Sequence, residues 1–280
     1  MQKIESIHDM RVAAARAREG GRTLALVPTM GALHAGHASL VRLAKARGHF
    51  VVLSAFVNPL QFGPNEDLAK YPRDPAGDAA LAEREGVDVL FTPTAEEMYP
   101  KGFSTQVTED HVSKPLCGVS RPALYRGVLT GWLKLLNVVQ PVALVMGERD
   151  IQQIAVVRKA LKDLMVPVEI LTAPTVRDAD GLAISARNVY LSPLHRTEAL
   201  AVHQSLGKAR EMVESGVRSA DRVVAEVTHI LAAKRRLRII YISLVHRDTM
   251  EAMREIVPDQ SLLAIAYWVD ELRLTDNLLL

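Results

Sequence analysis

Across residues 23–171, short unbroken apolar runs alternate with stretches whose apolar positions recur every three or four residues. The runs TLALV (23–27), FVVLSAFV (50–57), VDVLF (87–91), VALVM (142–146) and VPVEIL (166–171) are too continuously hydrophobic for one wet face. They predict parallel strands sandwiched between helix layers. Helices are predicted over 36–47, 74–85, 127–140 and 150–164, with Gly48, Gly86 and Pro141 among the stop signals. After Pro174 the texture changes: TVRDADGLAISARNVYLSP has little periodicity, and two helical patterns follow over 192–215 and 219–234. The runs IIYISLV (239–245), SLLAIAYWV (261–269) and RLTDN (273–277) then predict strands. The pattern as a whole predicts an α/β chain: a Rossmann-like doubly wound parallel sheet over 1–175, then a smaller α+β domain over 176–280.

Charge narrows the partners. The 280 residues hold 34 Lys+Arg against 32 Asp+Glu, a formal charge of +2, too balanced for a protein that coats nucleic acid or an acidic membrane. The expected partner is a small molecule, with no nucleic acid and no membrane. One cysteine, Cys117, excludes an internal disulfide framework and fits a cytoplasmic location. The opening MQKIESIHDM lacks a signal-peptide core, and no apolar run approaches the ~20 residues of a membrane span. The basic run KRRLR (234–238) reads as a solvated helix end.

One stretch carries the first candidate chemistry. In VPTMGALHAGHASLV (27–41) a buried strand meets a helix across a turn holding His34, Gly36 and His37. Such a turn lies at the carboxyl end of a parallel strand, where open α/β sheets bind ligands. Free N–H groups of the first helical turn favour an anion, and glycines let a phosphate approach the backbone. The histidines then either donate to phosphate oxygens or merely decorate a tight turn. Later loops share the same sheet rim. VNPLQFGPNEDLAKYPRD (57–74) holds Asn58, Gln61, Tyr71 and Arg73, whose amides suit a small polar substrate. GERDIQQ (147–153) adds Arg149, a phosphate clamp by its chemistry, with Asp150, Gln152 and Gln153. AISARN (183–188) offers Ser185, Arg187 and Asn188 on a segment suited to a mobile lid.

With these segments in view, the chain resembles the pantothenate synthetase family, pantoate and β-alanine ligases of the HxGH nucleotidylyltransferase superfamily. The resemblance rests on PTMGALHAGH (28–37), VNPLQFGPNEDLAKYPR (57–73), TPTAEEMYP (92–100), RPALYRGVLTGWLKLLNVVQP (121–141), GERDIQQ (147–153), PTVRDADGLAISARNVYL (174–191) and RLTDN (273–277). It implies that ATP and pantoate form pantoyl adenylate, with Mg²⁺, and that β-alanine then displaces AMP. His34, His37, Arg149, Ser185 and Arg187 are its implied catalytic residues. The implied ATP segments are Met30, Gly31, Ala32, Leu33, His34, Ala35, Gly36 and His37, then Gly147, Glu148, Arg149 and Asp150, then Val176, and then Ile184, Ser185, Ala186 and Arg187. Gln61, Gln153, Asn58, Tyr71, Pro28 and Met30 are implied at the organic substrates, Asp78 at the metal, and a homodimer is implied as the assembly.

Four positions depart from the family pattern. Arg149 replaces a lysine, and a planar fork is not equivalent to an ammonium. Ala186 removes a hydroxyl, Leu124 stands where a histidine is usual, and Gly77 thins the acidic stretch after YPR, leaving Asp74 and Asp78. Two other readings therefore stay open: an adenylyltransferase for another acid, and a catalytically weakened nucleotide-binding paralogue. Cys117 is expected to be inert and Trp132 and Trp268 to be core, while His195, His203, His229 and His246 lack metal spacing.

Overall fold

The computed structural model describes residues 1–64 and 66–280; Asn65, in the loop after the second predicted strand, lies outside them. The chain begins with β1 (Gln2–Ile4), α1 (Ile7–Glu19), β2 (Leu24–Thr29), α2 (Ala35–Ala46) and β3 (Phe50–Ala55). Then come α3 (Pro75–Arg84), β4 (Val89–Phe91), α4 (Ala95–Met98), α5 (Cys117–Ser120), α6 (Leu124–Val139) and β5 (Ala143–Gly147). The remainder is α7 (Ile151–Asp163), β6 (Glu169–Ala173), α8 (Pro193–Glu214), α9 (Ala220–Ala232), β7 (Leu237–His246), β8 (Ser261–Val269) and β9 (Leu272–Leu279).

Two compact units result. The first comprises Met1–Glu109, Ala123–Glu148 and Val157–Val176; the second comprises Asp110–Pro122, Arg149–Val156 and Arg177–Leu280. The boundary expected at 175/176 falls one residue from the chain's last passage between units. Two short excursions, 110–122 and 149–156, group with the second unit instead of the first. Hydrophobic periodicity is local and carries no mark of such excursions.

In the first unit six parallel strands run in the order β1-β4-β3-β2-β5-β6. β2 pairs with β3 on one side, Val27 opposite Leu53, and with β5 on the other, Leu26 opposite Leu144. The strand order reverses at β2, so its carboxyl end opens on the crevice such sheets use for ligands. Leu24, Ala25, Leu26 and Val27 are all buried, as the unbroken apolar run predicts. Ala25 and Val27 pack in one cluster with Val41 and Ala44 of α2 and with Leu53 and Val145 of the flanking strands. The N-terminal β1 and α1 were not anticipated. α1 is alanine-rich and buries only Met10 and Ala14, so its apolar stripe is thin; its start is a Ser6 cap whose hydroxyl accepts from the Asp9 N–H.

The second unit folds α8 and α9 onto the antiparallel sheet β7-β8-β9. Its core gathers Val202 and Leu206 of α8, Val223 and Val227 of α9, and Leu263 and Ile265 of β8. Trp132 and Trp268, expected in the core, are only half-buried; the Arg238 guanidinium lies 5.5 Å from the Trp268 ring centroid.

Helix α6 positions a loop that matters below. Its Gly127 lies so close to the turn at 59–61 that a Cβ there would stand 2.1 Å from the Leu60 carbonyl oxygen. Only glycine permits that approach. Gly127→Ala should therefore overpack this seam, with a cost of about 1–3 kcal/mol in urea unfolding. An unchanged unfolding midpoint would show that the seam yields freely.

Candidate active site

The turn after β2 is built from unusual backbone. Gly31 and Ala32 both have positive φ, 76° and 49°. Thr29 Oγ1 accepts from the Gly31 N–H at 3.2 Å and donates to the Ser54 carbonyl at 2.7 Å, anchoring the turn to β3. The Asp78 carboxylate, in the first turn of α3, completes the anchoring: Oδ2 accepts from the Ala32 N–H at 3.1 Å and Oδ1 from the Leu33 N–H at 2.6 Å. A Cβ on Gly31 would stand 2.9 Å from Asp78 Oδ2, so the glycine admits the carboxylate. Burial raises the Asp78 pKa, the Leu33 and Ala32 amides oppose that rise, and the nearby Asp74 charge adds to it. Asp74 itself caps α3, Oδ1 accepting from Gly77 N–H at 2.9 Å, and a Cβ on Gly77 would clash with it. The Gly77 departure thus has a local reason.

The two histidines cap α2 reciprocally. His34 Nδ1 accepts from the Gly36 N–H and His37 Nδ1 accepts from the His34 N–H, both at 3.2 Å. Their rings stack at 4.0 Å between centroids, 30° apart. Because Nδ1 is an acceptor in each ring, each neutral ring carries its one N–H on Nε2. The first turn of α2 holds no acidic residue of its own, and the Asp78 carboxylate lies on the amides just before it.

The loop after β3 is held by Asn58, which is 2% exposed. Its Nδ2 donates to the Gly127 carbonyl at 2.9 Å, while Oδ1 accepts from the Leu60 N–H at 3.1 Å and from the Tyr99 hydroxyl at 2.9 Å. Asn58, expected from the sequence at the substrate, makes these three contacts within the protein, and they fix the turn that carries Gln61. Burial pushes Tyr99 up to about 12, so it remains a phenol donor. Lys134 Nζ sits 5.6 Å from the Tyr99 ring centroid and 4.7 Å from that of Phe103. Gln61 and Tyr71 are buried, and Tyr71 meets Phe62 edge to face at 5.9 Å. Pro28, Met30 and Ala35 frame the histidine turn, Pro28 and Met30 partly exposed and Ala35 exposed. At the end of β5, Gly147 pairs with Ala173 and Glu148 accepts from the Thr172 hydroxyl at 3.0 Å. Val176 closes this unit's last segment.

In the second unit Arg149 does not stand alone. Its Nη1 donates to the Ile184 carbonyl at 3.1 Å and its Nη2 to Asp150 Oδ2 at 3.3 Å. Ser185 Oγ accepts from the Arg187 N–H at 3.3 Å, starting a short 3-10 turn over Ala186–Tyr190. Asn188 Nδ2 ties that turn back to the Ala183 carbonyl at 3.0 Å. Of the two adjacent glutamines, Gln152 is 5% exposed and gives both ends of its amide to the 112–117 segment, while Gln153 is half-buried. Leu124, in place of the family's usual histidine, is buried at the start of α6.

Hydrogen bonds thus bring Ala32 and Leu33 to Asp78, His34 to His37, Arg149 to Ile184, and Ser185 to Arg187. Asp78, expected at a metal, has an amide donor on each oxygen, and among the described residues no three His, Cys, Asp or Glu side chains group to hold a metal ion. Thr29, Tyr99 and Gly127 were missed as positioning residues. Their partners lie 25 to 69 positions away, beyond the reach of any local pattern.

A histidine-capped helix start at the switch point of a parallel sheet defines the class: a Rossmann-like α/β protein with an HxGH turn at the ligand end of its sheet. The sequence matches the family described as Pantoate-beta-alanine ligase over residues 2–279. It is 46% identical over 280 residues to the pantothenate synthetase of Thermotoga neapolitana, covering 100% of both chains. It is 46% identical to that of Thermoanaerobacter sp. (strain X514) over 275 residues, 98% of this chain and 97% of the relative. The crystal structure of pantothenate synthetase from Thermus thermophilus superposes with a TM-score of 0.95 at 41% identity, covering 100% of this chain and 99% of the other. The pantoate-beta-alanine ligase of Francisella tularensis, solved in complex with beta-gamma ATP and beta-alanine, gives 0.82 at 29% identity, covering 100% and 97%. The chain belongs to the pantoate-beta-alanine ligase family, and it is an ATP-dependent ligase of that family. No helix among the described residues is long and apolar enough to cross a membrane.

Asp78 yields a pH prediction. Its raised pKa means that, on acidification, the carboxylate is lost at a higher pH than the ordinary 3.8. The acid limb of activity should lie correspondingly high. For stability the same shift works in the other sense: the group's contribution is greatest below 3.8 and is lost as pH rises through the raised value. Asp78→Asn, with one acceptor oxygen for two amides, should lose about tenfold or more in kcat/KM for ATP at neutral pH. It should also flatten the acid limb; a pH–rate profile identical to wild type would deny the carboxylate this role.

Proposed function

We propose that the chain joins pantoate to β-alanine through a pantoyl adenylate formed on the histidine turn. One observation carries the reading: both HxGH imidazoles turn Nδ1 to the backbone at the start of α2, which places the N–H of each neutral ring on Nε2. Such donors, fixed before the reaction begins, stabilise charge that grows as a phosphoryl group changes partners.

The pantoate carboxylate attacks the α-phosphorus of ATP, a P–O bond forms, and the bond to pyrophosphate breaks. His34 and His37 are assigned to the polyphosphate, with His37 as the donor to the departing group. The β-alanine amine then attacks the acyl carbon of the mixed anhydride, the C–O bond to AMP breaks, and the ammonium proton is released. Neither step needs a nucleophile from the protein, and the chain's one thiol, Cys117, is buried. Alignment of carboxylate and phosphorus is then the main demand on the fold. Gln61, on the turn fixed by Asn58 and Tyr99, and Gln153 are assigned to pantoate, with Pro28, Met30 and Tyr71 beside the organic substrates. Arg149, Ser185 and Arg187 are assigned to the nucleotide. Mg²⁺, when bound, would neutralise the charge of the triphosphate, with Asp78, whose oxygens receive the Ala32 and Leu33 amides, as the residue assigned to it. The complex of the Francisella tularensis ligase with beta-gamma ATP and beta-alanine supports ATP and β-alanine as substrates. On family resemblance and balanced charge, the chain is read as a cytoplasmic homodimer that binds small molecules only.

Without β-alanine, pantoate should stimulate ATP–pyrophosphate exchange; with β-alanine, AMP and pantothenate should form in equal amounts. His37→Ala should lower kcat by about 10²–10³-fold, the range for losing one preorganised donor. Exchange stimulated by a different acid would point to the other adenylyltransferase, and ATP binding without turnover would point to the weakened paralogue.

A further inference from the structure

The motif RLTDN (273–277) has no part in the reaction as read above, yet three of its side chains each hold a different stretch of the second unit. Strand alternation sorts them. Leu274 and Asp276 face inward, 7% and 5% exposed, whereas Arg273 and Asn277 lie on the other face of β9. Arg273 Nη2 donates to Cys117 Sγ at 3.4 Å and to Ser120 Oγ at 3.2 Å. Asp276 accepts from both Nη atoms of Arg177, at 2.7 and 2.8 Å. Asn277 Nδ2 donates to the main-chain carbonyl of Arg149 at 2.8 Å. The held residues belong to the second unit's three separate segments, 110–122, 149–156 and 177–280.

The Asn277 contact reaches furthest. Holding the Arg149 carbonyl fixes ψ of Arg149, and with it the direction in which the side chain leaves the backbone. The guanidinium in turn donates to the Ile184 carbonyl, one residue before Ser185. A continuous path therefore runs from Asn277 through Arg149 to the 184–188 segment. A lysine at 149 would carry its three donors on one rotatable nitrogen, without the planar fork that donates from Nη1 to Ile184 and from Nη2 to Asp150.

We infer that β9 is a positioning strip for the nucleotide segments. Asn277 is a positioning residue that sets Arg149, and through it the segment carrying Ser185 and Arg187. The inference rests on the reading above that these residues meet ATP.

The test compares full-length wild type, Asn277→Ala, Asn277→Asp and Arg149→Ala by hydrogen exchange of peptides over 184–190 and by steady-state kinetics. Losing one such hydrogen bond should accelerate exchange there, and raise KM for ATP, by about 3- to 10-fold. KM for pantoate should stay within about twofold, since the broken contact lies on the nucleotide segments alone. Asn277→Asp, nearly isosteric, sets an acceptor against the Arg149 carbonyl and should be at least as severe as alanine. Adding Asn277→Ala to Arg149→Ala should not accelerate exchange further, since both break one path. The inference is overturned if Asn277→Asp matches wild type, which would mean simple packing. It is equally overturned if exchange over 184–190 is unchanged, or if it rises uniformly across the second unit. Exchange requires no substrate: a wild type without pantoate-dependent turnover would defeat the functional reading and leave this measurement to judge the strip.

Discussion

The turn after β2 depends on one carboxylate. Gly31 and Ala32 are both left-handed, a conformation that costs an alanine roughly 1–2 kcal/mol. The Asp78 oxygens offset that strain by receiving the Ala32 and Leu33 amides. With the turn fixed, Leu33 leads directly into His34, whose extended backbone starts α2 and whose ring, with that of His37, closes the cap. The direction of both imidazoles thus follows from an aspartate far along the chain, carried on a different helix. Asp78 is the turn's buttress.

A second set of contacts does similar work for the loop after β3. Gly127 lets α6 approach the 59–61 turn, and Asn58 bridges that turn to the helix while receiving the Tyr99 hydroxyl. A buried amide with partners on both its donor and acceptor ends specifies one geometry. Gln61 is therefore presented on a rigid turn although it lies in a loop. Buried polar groups of this kind explain why several residues whose chemistry suits a substrate act on the protein itself.

Much of the fold was legible because buried parallel strands and amphipathic helices write themselves into adjacent residues. Five strands of the first sheet and both long helices of the second unit lie within a few positions of where their patterns place them. The HxGH turn was legible too, since two imidazoles, glycines and a strand-to-helix change all fall in one short stretch. What depends on distant partners was not legible. Asp78 is expected at the metal until its amides are seen, the burial of Gln152 against 112–117 depends on a segment some 40 positions away, and alanine-rich α1 has too narrow a stripe to announce itself. The excursions 110–122 and 149–156 were hidden for the same reason, because unit membership is a long-range property.

The environment of Cys117 has an experimental consequence. Its sulfur is buried, 3.2 Å from the Tyr241 hydroxyl and 3.4 Å from Arg273 Nη2. As the chain's sole thiol, it offers a single attachment point that an alkylating reagent meets only when its surroundings part. The rate of labelling is then a clock for breathing of the C-terminal sheet against the 117–120 turn, readable by intact mass without engineering any residue.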